Sequence, residues 1–170
     1  MSLHQELEQR ARRIAQSEEE YYINLIASLT QQVDCLLALD RYAEAEEKWN
    51  QANDLYARWP DPPEDVQPRL FALKASLAAE AGDLEEAGRL MSKAINVARN
   101  GHGILIAELR AAKTEYFRKL GKIDEALEEL ELASKSGDTE VFASRYLHLK
   151  GLILEQAQDQ RWLDHILESY

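Results

Sequence analysis

Apolar residues recur every three to four positions along almost the whole chain. The windows IASLTQQVDCLLAL (26–39), RLFALKASLAAEA (69–81) and IAELRAAKTEYFRKL (106–120) show this period clearly, and it is the period of a helix with one face in a core. No stretch of the sequence alternates apolar and polar positions with β-branched side chains, which is the pattern typical of a strand. The sequence therefore predicts an all-α fold.

The helical period stops at three short segments. WPDPPED (59–65) holds three of the four prolines, which excludes a continuous helix there. RNGHG (99–103) and SGDT (136–139) offer glycines suited to a left-handed helix end. These segments divide the chain into helical blocks.

The first block has two interpretations. Ser17 and Glu20 have the spacing of a capping box, which would begin a helix near Tyr21. The alternative is one uninterrupted helix from Leu3 to Leu39.

One pattern occurs three times, in residues 39–58, 81–100 and 119–138. Each copy has an apolar residue, a glutamate, an alanine, a bulky apolar residue four positions later and a second alanine three positions after that. The columns are Tyr42, Leu84 and Ile123; Glu44, Glu86 and Glu125; Ala45, Ala87 and Ala126; Trp49, Met91 and Leu130; Ala52, Ala94 and Ala133. Positions i, i+4 and i+7 share a helix face, so the two alanines allow a neighbouring helix to approach closely while the large residue fills the gap between them.

Each copy follows another apolar-periodic helix that ends in a short turn at Asp40, Gly82 or Gly121. The unit is therefore a helix, a tight turn and a second helix, and its spacing is 42 residues (87 − 45) and then 39 (126 − 87). One such pair cannot bury its own apolar face, but stacked neighbours can. A partial fourth unit is predicted after residue 139, with a turn near Gln158 and a last helix in 161–170.

This pattern resembles the tetratricopeptide repeat. GKIDEALEELELA (121–133), GDLEEAGRLMSKAI (82–95) and DRYAEAEEKWNQA (40–52) carry the resemblance, which covers residues 21–138 and extends weakly over 139–170. The period near 40 is longer than the family's usual 34. The family's small residue in the middle of the first helix is kept at Ala75 and Gly151 and replaced at Val33 and Thr114.

The resemblance implies a right-handed superhelical array of antiparallel helix pairs, an α-solenoid, in a single domain of residues 1–170. Its expected parts are an N-terminal capping helix over 1–17, helix pairs over 21–58, 65–99 and 103–136, and a partial fourth pair over 139–170.

In that family, the first helices of successive repeats line a concave groove that binds extended peptides or a partner's helix. The resemblance therefore implies a noncatalytic protein-protein interaction module that acts as an adaptor, scaffold or regulatory domain. The positions carried over to the groove are Thr30, Asp34, Arg69, Ser76, Glu108, Glu115, Arg118, Arg145, His148 and Glu155. The three arginines would suit a partner's carboxylates, and a merely solvated polar face is the alternative interpretation.

Chaperone-binding members of the family clamp a C-terminal carboxylate with lysine, asparagine and arginine on these helices. The matching positions here hold Thr30, Asp34, Leu73, Glu108 and Ala112. An acidic C-terminal tail is therefore not the expected ligand.

A second hypothesis is self-association, with the chain serving as an oligomerisation or assembly subunit. Trp162, Ile166 and Tyr170 share one face of the terminal helix, and their exposure would favour a homodimer.

Charge narrows the classes of partner. The formal net charge of −11 repels nucleic-acid phosphates and anionic membrane surfaces, so neither is an expected partner. The sequence has neither an apolar signal segment nor a spanning helix, and a cytoplasmic location is expected. Cys35, the one cysteine, stands among apolar residues in VDCLLAL, which predicts a buried thiol.

Catalysis is not expected. The four histidines fall in different elements, without the spacing of a metal-binding pair, and no phosphate-binding or nucleophile motif occurs. No cofactor and no metal are predicted, and a helical enzyme is kept as a remote alternative.

Overall fold

The computed structural model describes the backbone of residues 3–98, 103–136 and 139–168, and the side chains of 16–98, 105–136 and 142–159. Within these ranges the chain forms seven helices and no strand, which confirms the predicted all-α class. The helices are α1 (Leu3–Ala38), α2 (Tyr42–Arg58), α3 (Val66–Glu80), α4 (Leu84–Val97), α5 (Gly103–Lys119), α6 (Ile123–Ser136) and α7 (Thr139–Glu168).

Each helix packs against the next one in the chain. The most extensive contacts join α1 to α2, α3 to α4 and α5 to α6, and these are the three predicted helix pairs. Contacts of α2 with α3, α4 with α5 and α6 with α7 join the pairs to one another, and α1 also reaches α3 while α5 reaches α7. Side chains from consecutive pairs thus share apolar clusters, as stacked units require.

The three predicted turns have the same backbone structure. Asp40, Gly82 and Gly121 have φ values of 55°, 86° and 73°, and they are the residues of positive φ among those that the structure describes. At each turn the amide of the following residue bonds to the carbonyl five positions earlier at 2.9 Å, with the pairs Arg41 to Leu36, Asp83 to Ala78 and Lys122 to Phe117. This is the Schellman pattern of a helix end, and it turns the chain directly into the next helix.

Aspartate at the first turn needs support that glycine does not, because an L side chain rarely adopts a positive φ. The Tyr42 hydroxyl donates a hydrogen bond of 2.7 Å to Asp40 Oδ1. That bond is the main cause that raises the pKa of Tyr42 to about 12.

The repeated alanines are fully buried in the second helices. All six are 0% exposed, namely Ala45, Ala52, Ala87, Ala94, Ala126 and Ala133. Met91 and Leu130 fill the space between their alanines, and Trp49 does so while its indole nitrogen donates a hydrogen bond of 2.8 Å to the Leu70 carbonyl. The predicted role of these columns in helix approach is thereby confirmed.

Two predicted breaks are absent. α1 continues through Ser17 and Tyr21 without interruption, so the helix start near Tyr21 is wrong and the alternative of one long helix is right, because no glycine or proline interrupts the segment. α7 continues through Gln158 to Glu168, so the turn expected there is also wrong. Glutamine is a good helix former and a poor residue for positive φ.

The prediction for Cys35 is wrong as well, since this thiol is exposed. Val33 is 0% exposed on the inner face of α1, and Cys35, two positions further on, lies on the opposite side of the helix. The proline-rich segment behaves as predicted, because α2 ends at Arg58 and α3 begins at Val66.

The other two predicted breaks lie only partly within the described residues. α4 ends at Val97 and α5 begins at Gly103, and α6 ends at Ser136 before α7 begins at Thr139. Residues 99–102, 137 and 138 fall outside the described residues.

Candidate functional site

A cavity of about 480 Å³ lies between α1, the proline-rich segment 59–65 and the start of α3. We call it the α1–α3 cavity. Its apolar lining consists of Ile23, Ile26, Ala27, Trp59, Pro63 and Val66, and its polar lining consists of Thr30, Gln31, Asp34, Asp65 and Arg69. Apolar walls with a few polar groups are typical of ligand-binding cavities.

Helix periodicity explains why α1 lines this cavity. Ile23, Ala27, Thr30 and Asp34 stand at i, i+4, i+7 and i+11, so they form one row along the helix. The neighbouring row, with Ile26, is buried in the core. The cavity row thus changes from apolar at one end to acidic at the other.

Trp59 forms the wall opposite this row. Its ring is 6% exposed and stacks on Tyr22, with 5.4 Å between the ring centroids and 10° between the planes. Tyr21 meets Tyr22 edge to face at 5.7 Å. Pro60 directly follows Trp59, so α2 ends at Arg58. Trp59 therefore lies outside α2, and its indole packs against α1.

The two aspartates that line the α1–α3 cavity differ in their salt bridges. Arg69 pairs with Asp65 on the preceding turn, with 3.4 Å from Nε to Oδ2. No Lys, Arg or His of the described residues forms a salt bridge with Asp34, which is exposed but whose carboxyl is partly desolvated by its surroundings, and this desolvation raises its pKa. Among the described residues, the cavity therefore presents an acidic group without a counter-ion.

Two other predicted groove residues, Glu115 and Arg118, form a network with Gln156 that joins α5 to α7. Arg118 makes a bidentate bond to Glu115, at 2.7 Å and 2.9 Å, and donates through Nη1 to Gln156 Oε1 at 3.1 Å. Gln156 in turn donates to the Arg118 carbonyl at 3.1 Å. Arg118 is the main cause that lowers the pKa of Glu115, and His148 contributes to the same shift.

The remaining predicted residues do not join either group. Ser76 is half-buried, donates to the Ala72 carbonyl at 3.3 Å and lies against Tyr116. Glu108 on α5 is exposed, and so are Arg145, His148 and Glu155 on α7. The predicted groove residues thus fall into a cavity group, a network group and separate surface positions.

The most buried ion pair of the described residues lies between α5 and α6 and includes none of the predicted groove residues. Glu129 is 9% exposed and accepts from Arg110 Nη1 at 2.8 Å and from Lys113 Nζ at 2.6 Å. Both cations come from the helix that packs on Glu129, so this cluster joins the two helices of the third pair.

Sequence reasoning missed the wall residues Ile23, Trp59 and Pro63. The signal available was the long proline-rich connection between the first and second units, since the other two units are joined by shorter segments. A stiff loop that carries a tryptophan beside a helix face is a common way to build a cavity wall.

Comparison with known proteins finds no matching family model and no significant match among curated proteins. Within the part of the chain that the structure describes, no three or more His, Cys, Asp or Glu side chains are grouped as metal ligands. The helices described also lack the combination of length and apolarity that crossing a bilayer requires. The tetratricopeptide resemblance therefore depends on the repeated residues themselves.

Proposed function

We propose that this protein is a noncatalytic interaction module whose helix pairs form a tetratricopeptide-like, right-handed solenoid, and that it acts as an adaptor, scaffold or regulatory domain. It binds an extended segment of a partner protein along its first helices. The observation that carries the proposal is the α1–α3 cavity, because Thr30, Asp34 and Arg69 were assigned to the groove by the resemblance and all three line it.

The lining of the cavity indicates the chemistry of the bound segment. An apolar side chain of the partner would occupy the space between Ile23, Ala27 and Trp59. A lysine or arginine next to it in the partner would meet Asp34, whose carboxylate has no salt-bridge partner among the described residues. The expected ligand is therefore a segment in which an apolar residue and a basic residue are neighbours.

A basic ligand differs from the expectation in the sequence analysis, where arginines of this protein bind a partner's carboxylates. The guanidinium of Arg118 already holds Glu115 and Gln156, and Arg69 already pairs with Asp65. Binding an acidic segment through Arg69 or Arg118 would require these pairs to break. A basic segment also agrees with the net charge of −11.

Panning a displayed library of random peptides on the purified protein tests the proposal. We expect enrichment of peptides with adjacent apolar and basic residues, because these satisfy both parts of the α1–α3 cavity. Ala27 is exposed in the cavity wall, so Ala27→Trp should fill the space and reduce binding of the selected peptides at least tenfold.

The matched control is Ala43→Trp, which adds the same ring at an exposed position of α2 outside the cavity. It should leave peptide binding unchanged. Selected peptides that bind the Ala27→Trp protein as well as the unaltered one would refute the assignment of the cavity.

A further inference from the structure

The outward face of α7 carries an apolar row that is open to solvent. Leu147 is 67% exposed and Leu154 is 48% exposed, and Gly151 lies exposed between them. Their spacing of i, i+4 and i+7 puts them on one side of the helix. The opposite side of α7 is already occupied, because Phe142 and Leu149 pack in the core with α5 and α6.

The equivalent positions of the other three units are buried, whereas this face of α7 is not. Gly151 stands seven residues before Gln158, where the repeat pattern predicts a turn, and Val33, Ala75 and Thr114 stand seven residues before the turns of their units. Those three residues are 0% exposed, and in each of their units a second helix folds back against the first. α7 does not turn but runs on to Glu168, so none of the described helices folds back over Gly151 as a second helix of its unit.

We propose that this face binds α7 of a second copy of the chain, with the two helices antiparallel and crossing at Gly151. A two-fold axis through the crossing makes the same surface serve both copies. Glycine at the crossing point allows the two backbones to approach closely.

The spacing of the leucines fits this arrangement. Leu147 is four residues before Gly151, and Leu154 is three residues after it. In an antiparallel pair, Leu147 of one copy therefore lies beside Leu154 of the other, with an offset of one residue or about 1.5 Å along the axis. Each leucine, exposed in the single chain, gains an apolar neighbour.

The flanking polar residues match in the same way. His148 is three residues before Gly151 and Glu155 is four after it, and both are exposed on the same flank of the leucine row. An antiparallel pair puts His148 of one copy beside Glu155 of the other, twice over. A parallel pair would put these flanks on opposite sides of the contact, so His148 of one copy would not meet Glu155 of the other, and the side chains favour the antiparallel second copy.

The dimer and the α1–α3 cavity use different helices and different side chains. Loss of dimerisation would leave the cavity intact, and a blocked cavity would leave the α7 face intact. Failure of the one proposal can therefore be told from failure of the other.

Gly151→Lys tests the contact without threatening the fold. A Cβ at Gly151 meets no atom within 4 Å, so the single chain accommodates the new side chain, while two lysines at the crossing hold the copies apart. Sedimentation over a concentration series should give about twice the chain mass of 19.4 kDa for the unaltered protein and the single mass for the variant. Asn96→Lys, which adds the same side chain at an exposed position of α4, should still dimerise.

Cysteine cross-linking tests the geometry. In a Cys35→Ser background, Gly151→Cys should form a disulfide-linked dimer under mild oxidation, because the two thiols meet at the crossing. Ser144→Cys alone should not, since the two thiols would be about 21 Å apart along the axis. A mixture of Ser144→Cys with Gln158→Cys protein should cross-link again.

An unaltered protein that sediments at the single chain mass throughout the series would overturn the proposal. Efficient cross-linking of Ser144→Cys to itself would overturn the antiparallel arrangement.

Discussion

At the scale of single residues, two carboxylates have opposite surroundings. Glu129 is buried between Arg110 and Lys113, which satisfy both of its oxygens. Asp34 is exposed, but the residues around it partly desolvate its carboxyl, and it has no salt bridge to a described residue. Glu129 joins two helices, whereas Asp34 carries a desolvation cost in the unbound protein that a basic ligand would offset.

Replacing Asp34 should separate stability from binding. Asp34→Asn removes a charge that burial disfavours, so we expect the free energy of unfolding at neutral pH to rise slightly, by about 0.5 kcal/mol, because solvent still reaches the group. The same variant should bind the basic peptides selected above at least tenfold more weakly.

The pH dependence of this gain follows from the raised pKa of Asp34 in the folded protein. The Asp34 carboxyl holds its proton more tightly in the folded chain than in the unfolded chain. Its unfavourable contribution to the free energy of unfolding therefore grows as the pH rises above 3.8, the ordinary pKa of an aspartate. The stability difference between Asp34→Asn and the unaltered protein should therefore vanish in acid and be complete at neutral pH. Thermal unfolding at several pH values measures it, and an equal gain from the exposed control Asp54→Asn would count against this explanation.

At the scale of elements, glycine has two different roles. Gly121 lies in a Schellman turn at φ 73°, which an L side chain adopts only with strain. Gly88 lies inside α4, where a Cβ would meet no atom within 4 Å. The turn glycine is required by backbone geometry, whereas the helix glycine is not.

Replacing glycine by alanine should therefore change the free energy of unfolding in opposite directions at the two sites. Gly121→Ala should lower the free energy of unfolding by about 1 kcal/mol, because the turn must hold alanine at positive φ. Gly88→Ala should raise it by about 0.5 to 1 kcal/mol, because alanine restricts the unfolded chain and favours the helix. Urea denaturation of both variants measures the two changes, and destabilisation of similar size at both sites would refute the distinction.

At the scale of the whole molecule, the core is divided unequally among the helices. The largest cluster of buried apolar residues joins α3, α4 and α5, and the next joins α5, α6 and α7. The two clusters beneath α1 and α2 are smaller. Because each helix contacts mainly its neighbours in the chain, local contacts decide how easily each part opens, and the helix pairs should not open equally.

Hydrogen exchange should reveal this gradient. We expect backbone amides of α4, α5 and α6 to exchange most slowly, and those of α1 and α2 to exchange faster, because fewer apolar contacts must break to open them. Mass spectrometry of proteolytic fragments measures the rates, with correction for the intrinsic exchange of each sequence. Uniform protection across all these helices would indicate one cooperative unit instead.

The sequence predicts those features that local physical rules determine. The turns at Asp40, Gly82 and Gly121 follow from helix-end chemistry, and the buried alanines follow from helix periodicity. The continuation of α7 through Gln158 was missed because the repeat pattern suggested a turn that this residue does not favour.

The candidate site was less predictable than the fold. Trp59 contacts Tyr22, which lies 37 residues earlier in the chain, and no local pattern indicates that pairing. Arg118 was predicted to bind a partner's carboxylates, and its bond to Gln156 was missed because that bond depends on how α5 and α7 pack. Exposure of Cys35 likewise depends on which side of α1 is covered.

Because the three turns have the same backbone structure, the chain could be shortened by a whole unit at these positions. A chain that passes from Gly82 directly to Lys122 would keep the residue of positive φ and the amide that follows it, with one whole unit removed between them. Gene duplication or deletion between equivalent turn positions would likewise change the number of units without creating a new kind of joint. The turns are therefore natural boundaries for recombination, both in evolution and in the construction of longer or shorter arrays.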